Sequence, residues 1–189
     1  MASRAVKYGS DEYEISYEVV NPKCKKIVLF LHGWGANKEI MKKAFGLYLS
    51  ELCHVYIDMP GFVENFCDEL GIKPDIIVGH SFGGKVATLL KPPYLVLLSS
   101  AGIVVKKPFI VRAKIAIFKI FKLFGFGKFY KLFATKDVSG MSRVMYETLK
   151  NVVDEDFTKH FADFGGRAFI FWGENDKATP IISGESIHK

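Results

Sequence analysis

Four short apolar runs constrain this chain more than any other feature. They are "KIVLFLHG" (26–33), "HVYIDMPG" (54–61), "PDIIVGHS" (74–81) and "YLVLLSSAG" (94–102). Continuous runs of this length, closed by glycine or a small polar residue, read as strands buried on both faces, which requires a helix layer on each side. The intervening segments supply those helices. "NKEIMKKAFGLYLSEL" (37–52) has helical spacing after an Asn cap, "ENFCDELGI" is a short helix with a glycine stop, and "FGGKVATLL" is a third helix. The alternating "YEISYEVV" (13–20) precedes the set as a half-exposed strand, and "RAFIFWGE" (167–174) returns to strand near the end. The expected class is α/β, a mostly parallel central sheet with helices on both faces. Sites in such folds lie at the carboxyl ends of the strands, which here fall on His32-Gly33, Asp58, Ser81 and Asp176.

The strongest local signal is "VGHSFGG" (78–84), where Gly79, Ser81 and Gly83 fit G-x-S-x-G between a predicted strand and a predicted helix. Ser81 must then sit on a sharp turn, and side chains at 79 or 83 would collide with the neighbouring strand and helix. A serine at a helix N-terminus meets backbone N–H groups and a dipole that favour a developing anion. Acyl transfer needs two such donors. The Phe82 N–H follows the nucleophile, and the loop "LHGWG" (31–35) offers the Trp34 N–H.

These segments together resemble the α/β-hydrolase superfamily over nearly the whole chain: "HGWG" at the oxyanion loop, "DMPG" after the next strand, "GHSFGG" at the nucleophile elbow and "WGENDKATP" at the acid. The stretch "MSRVMYETLKNVVDEDF" is similar to the cap of uncharacterised bacterial members. The resemblance implies a serine hydrolase, an esterase, lipase-like or C–C-bond hydrolase, working without metal or organic cofactor. A serine rather than an aspartate at the elbow argues against dehalogenase and epoxide-hydrolase chemistry. By the same resemblance Ser81 is the nucleophile and Asp176 the acid that orients an imidazole and stabilises the imidazolium. Asp58, before a Pro-Gly turn, shapes the site rim and is given no catalytic role.

The family pattern breaks at the histidine, which belongs in a loop after one further strand. Only His188 follows Asp176, and "TPIISGESIHK" reads as a turn opening a helix whose His188 faces solvent, a weak candidate for the base. His160 precedes the strand, His80 is expected to be locked inside the elbow, and His32 and His54 sit where strand termini would hold them. A chain stopping before the catalytic histidine also lacks the C-terminal strand and helix of its relatives and leaves one sheet edge bare. Loss of a triad member costs up to ~10⁶ in kcat, so this 189-residue form is a candidate for an inactive one.

The core is expected over 1–105 and 164–189, with a helical cap over 106–163. In "KKPFIVRAKIAIFKIFKLFGFGKFYKLF" (106–133), Ile110, Ala113, Ile117, Ile120 and Phe124 share one helical face, with Arg112, Lys119 and Lys122 opposite. As a lid, that face closes the site, with Phe109, Phe121 and Tyr130 as pocket candidates. As an interfacial helix, it makes peripheral membrane contact through 106–133. The net charge of +6 comes mostly from Lys106 to Lys136, a local source that argues against nucleic acid. Three cysteines without C-x-x-C spacing argue against a disulfide framework or a zinc site. The N-terminus lacks a signal-peptide pattern, and no apolar run approaches the ~20 residues of a membrane span. The expected protein is cytoplasmic and takes a small-molecule ester or acyl substrate. Its oligomeric state is left open. The alternative reading is a catalytically silent binding or membrane-associated protein of the same fold.

Overall fold

The computed structural model describes residues 2–59, 62–104, 152 and 155–189. The chain divides into two compact units, Met1–Ile103 with Asp156–Lys189, and Val104–Glu155. Residues 156–163 therefore belong to the first unit. The remainder of the expected cap, including the pocket candidates Phe109, Phe121 and Tyr130, lies almost entirely outside the described residues. The first unit is closed where the second leaves it, since the Phe157 N–H donates to the Gly102 carbonyl at 2.7 Å.

The first unit is built on a seven-stranded sheet: β1 (Ala2–Tyr8), β2 (Asp11–Val20), β3 (Ile27–Leu31), β4 (Cys53–Ile57), β5 (Ile76–His80), β6 (Tyr94–Leu98) and β7 (Arg167–Phe171). The order across the sheet is β1-β2-β4-β3-β5-β6-β7. The pairs β1–β2 and β2–β4 are antiparallel, and every other pair is parallel. Parallel neighbours need crossovers. Helix α1 (Lys38–Phe45) joins β3 to β4, α2 (Val63–Leu70) joins β4 to β5, and α3 (Phe82–Leu89) joins β5 to β6. Helix α4 (Thr158–Ala162) leads into β7 and α5 (Ile181–His188) follows it.

Successive residues of the central strands feed opposite layers. Leu29, Leu31, Val55, Ile57, Ile77, Leu95 and Leu97 pack with Val63 and Phe66 of α2, Ala87 of α3 and Phe161 of α4. Val28, Phe30, Tyr56 and Val78 pack with Met41 of α1. This two-sided burial is why those strands read as unbroken apolar runs. Each fully buried side chain of this size contributes about 1.5–3 kcal/mol.

Two elements differ from the sequence pattern. Strand β1 carries no signal because only Val6 is buried in it. Helix α1 stops at Phe45, although helical spacing predicts it to 52: the Gly46 N–H closes on the Lys42 carbonyl at 2.7 Å, and Leu49 is left-handed at φ 55°. Leu47, inside the predicted helical span, is 92% exposed. Glycine inside a helix costs about 1 kcal/mol, and residues 47–50 directly beyond it are all exposed. At the other edge β7 pairs only with β6 among the described residues, and its Phe169 and Phe171 are half exposed. No helix among the described residues is long and apolar enough to cross a membrane.

Candidate active site

The chain reverses from β5 into α3 at one residue, Ser81, with φ 51° and ψ −115°. Left-handed φ is unfavourable for a side-chain-bearing residue and persists only where its surroundings hold it. Here the Ser81 N–H donates to the Leu98 carbonyl at 3.1 Å, and the Ser81 carbonyl accepts the Gly84 and Ala101 N–H groups, each at 3.0 Å. The glycines follow from the packing. A Cβ at Gly79 would overlap the Gly83 and Gly84 backbone, and one at Gly83 would overlap the Leu31 and His32 carbonyls at the end of β3.

Because β3 lies beside β5, the loop leaving β3 meets this turn. A Cβ on Gly33 would stand 2.9 Å from His80 Nδ1 and 3.2 Å from Ser81 Cβ. Trp34 follows, in a turn closed by the Ala36 N–H on the Gly33 carbonyl at 3.2 Å. Its ring meets the Phe82 ring edge-on, with centroids 5.3 Å apart and planes at 85°. Phe82 opens α3, so the helix itself cannot satisfy its N–H. Ser81, Phe82 and Trp34 are thus brought together.

The β3 loop is tied to the exit of β4 at both ends. His32 is buried; its Nδ1–H donates to the Gly33 carbonyl at 2.8 Å and its Nε2 accepts the Met59 N–H at 2.9 Å. That pairing assigns the neutral tautomer. Asp58 Oδ1 accepts the Lys38 N–H at 2.8 Å, and Oδ2 pairs with the Lys38 ammonium at 2.6 Å. Burial alone would raise the Asp58 carboxyl, but the Lys38 N–H and ammonium outweigh it and hold it below the usual carboxylate range.

Asp176 closes on its own loop. Oδ1 accepts the Ala178 and Thr179 N–H groups, both at 2.9 Å, and Oδ2 accepts the Thr179 hydroxyl at 3.0 Å. Burial would raise this carboxyl too. The Thr179 N–H, the Ser99 and Thr179 hydroxyls and the Ala178 N–H lower it instead. Ser99 sits at the end of β6 with φ 43°, and its carbonyl accepts the Thr179 hydroxyl at 3.1 Å. Sequence reasoning missed Ser99, Thr179 and Lys38. Only Thr179 left a trace, three residues after an aspartate in a turn.

The histidines divide clearly. His188 is the exposed last residue of α5. His54 is wholly buried; its Nε2–H donates to the Leu49 carbonyl at 2.9 Å, and its Nδ1 accepts the Tyr56 hydroxyl at 2.8 Å. Burial also pushes that phenol up to about 12. His160 is exposed beside the Phe157 ring. His80, expected to be locked in the turn, keeps an exposed face. Crowding around its imidazole lowers its pKa, against an opposing pull from Asp176. Among the described residues, no imidazole hydrogen-bonds to Asp176.

No protein-family profile matches the sequence. A curated relative, the biotin biosynthesis bifunctional protein BioHC of Teredinibacter turnerae, is 36% identical over 92 aligned positions, covering 39% of this chain and 16% of that protein. Solved structures match far more of the chain. An esterase from Exiguobacterium antarcticum superposes with a TM-score of 0.72 at 19% identity, over 99% of this chain and 87% of that one. A bromoperoxidase from Bacillus anthracis gives 0.70 at 16% identity, over 99% and 87%. A membrane phospholipase A, described as a bacterial virulence factor, gives 0.69 at 19%, over 99% and 74%. At such identities the likeness establishes the fold.

Proposed function

Starting from the α/β-hydrolase fold that this chain has, we propose that the protein is a serine hydrolase acting on a carboxylic ester or a related acyl or C–C bond. One observation carries the reading: Ser81 is held in a strained strand-to-helix turn directly against the loop of Trp34 and beside the first N–H of a helix. In an ester, Ser81 Oγ attacks the carbonyl carbon while an imidazole takes its proton. The oxyanion accepts the Phe82 and Trp34 N–H groups, the alcohol leaves with that proton, and water then releases the acid. Asp176 orients the imidazole, and its lowered pKa keeps it an anion throughout. The likeness to an esterase and to a phospholipase supports an ester substrate. The basic, aromatic pattern of 106–133 supports contact with a lipid interface.

A second reading, a catalytically silent binding protein of the same fold, rests on the absence of an imidazole bonded to Asp176 among the described residues. One experiment separates the two. Treatment with a fluorophosphonate probe, together with p-nitrophenyl acetate and butyrate turnover, is expected to show labelling and hydrolysis that Ser81→Ala abolishes. A chain that stays unlabelled, or is labelled equally after Ser81→Ala, supports the silent protein.

A further inference from the structure

Resting on that hydrolase reading, we infer that Asp58 is a positioning residue for the oxyanion site: it fixes the loop that presents the Trp34 N–H to the carbonyl attacked by Ser81. The loop between β3 and α1 spans residues 32–37 and contains two glycines, one of them, Gly35, left-handed at φ 70°. Such a segment has little intrinsic preference for where its amides point. An oxyanion donor is effective only when it is held in place before the charge develops.

The clamp comes from β4. Strands β3 and β4 run parallel with Leu31 opposite Ile57, so the residues that follow leave the sheet side by side. Two consecutive residues of that exit hold the two ends of the loop. Met59 donates its N–H to His32 Nε2, while His32 Nδ1–H grips the Gly33 carbonyl just before Trp34. Asp58 takes the far end, accepting both the backbone N–H and the ammonium of Lys38. The Lys38 side chain is only 6% exposed, so this ion pair is largely removed from water on its cationic side. Lys38 also opens α1, where a carboxylate complements the helix dipole. The turn holding Trp34 is thereby fixed between a strand end and a helix start, and the edge-on contact of Trp34 with Phe82 links the two donor-bearing residues.

The rival account makes Asp58 a helix cap and nothing more. Kinetics of single variants in the full chain separate the two, read as fluorophosphonate labelling at Ser81 and as kcat and KM for p-nitrophenyl butyrate. Asp58→Asn retains an acceptor for the Lys38 N–H but loses the ion pair; Asp58→Ala loses both; Lys38→Met removes the ion pair from the other side; Lys38→Arg preserves it. Removing a whole oxyanion donor costs about 10²–10³ in kcat, so a misaimed one is expected to cost about 10- to 100-fold. Asp58→Ala should fall at the upper end and Asp58→Asn and Lys38→Met at the lower. Lys38→Arg should restore most of the rate, and KM should move less than about threefold throughout. The proposal is overturned if Asp58→Asn and Lys38→Met keep native kcat while Ser81→Ala abolishes it, or if their losses only track a smaller folded fraction by circular dichroism. If native Ser81 is never labelled, the hydrolase reading itself fails, a result distinct from either.

Discussion

Two carboxylates stand at strand ends on the same side of the sheet, and they are held in opposite ways. Asp58 reaches across to Lys38, twenty residues earlier, and joins two separate crossovers. Asp176 is satisfied almost wholly within its own loop, by groups two and three residues ahead, with Ser99 added from β6. Both are held below the usual carboxylate range, so acidity alone does not distinguish them. A cross-strand clamp fixes the relation of one loop to another, which suits a group that aims a neighbour. A self-satisfied loop fixes the carboxylate itself, which suits a group that must face a partner unchanged.

That contrast predicts unequal losses. Under the hydrolase reading Asp176→Ala should have the largest effect of any one of these carboxylate substitutions, a fall in kcat on the order of 10⁴ with the sheet intact, since removing a triad acid costs about that much elsewhere. A loss under tenfold would mean that Asp176 is only a turn residue. The combined Asp58→Ala and Asp176→Ala variant should lose more than either alone, by the product of the single losses, because the two carboxylates share no hydrogen-bond partner. Strong departure from that product in p-nitrophenyl butyrate kinetics would join them in one network and dissolve the comparison.

Smaller effects sharpen it further. Thr179→Val keeps the N–H to Oδ1 but removes the hydroxyl shared between Asp176 Oδ2 and the Ser99 carbonyl. It is expected to cost about 1 kcal/mol in denaturant unfolding, the usual net value of such a bond. The acid limb of stability adds a last test. A carboxylate whose pKa is lowered on folding binds fewer protons folded than unfolded. Its contribution is therefore complete above the unfolded value near 3.9 and is lost as pH falls through the folded one. The gap in thermal midpoint between native protein and either Asp58→Asn or Asp176→Asn should accordingly narrow below about pH 4. A gap that stays constant down to pH 3 would contradict the lowered values.

The carboxylates also show what the sequence makes legible. Asp176 is readable because its bonds are local and its strand is announced by "AFIFWG". The central strands are readable because burial on both faces leaves no polar interruption, as in β4, where all five residues are buried. The turn at Ser81 is readable because steric exclusion demands glycine at 79 and 83. What stays hidden depends on distance along the chain. The bonds of Asp58 go to Lys38, and a lysine in the first turn of a helix carries no mark of a carboxylate partner twenty residues on. The end of α1 is hidden for a different reason: apolar residues such as Leu47, Tyr48 and Leu49 run on past Gly46, and the fold leaves them exposed.

The flank of β7 that meets no other described strand bears on how this protein behaves in a tube. Phe169 and Phe171 stand out from a strand whose outer N–H and C=O groups have no strand beside them among the described residues, and its one charge, Arg167, lies at its start. Natural sheets usually blunt such borders. The opposite border does so here, with Arg4 and Lys7 along β1 and an ion pair from Arg4 to Glu69. Purified material should therefore turn cloudy with rising concentration and warmth, starting from the β7 side. Phe169→Lys should keep it clear at concentrations where the native chain scatters light.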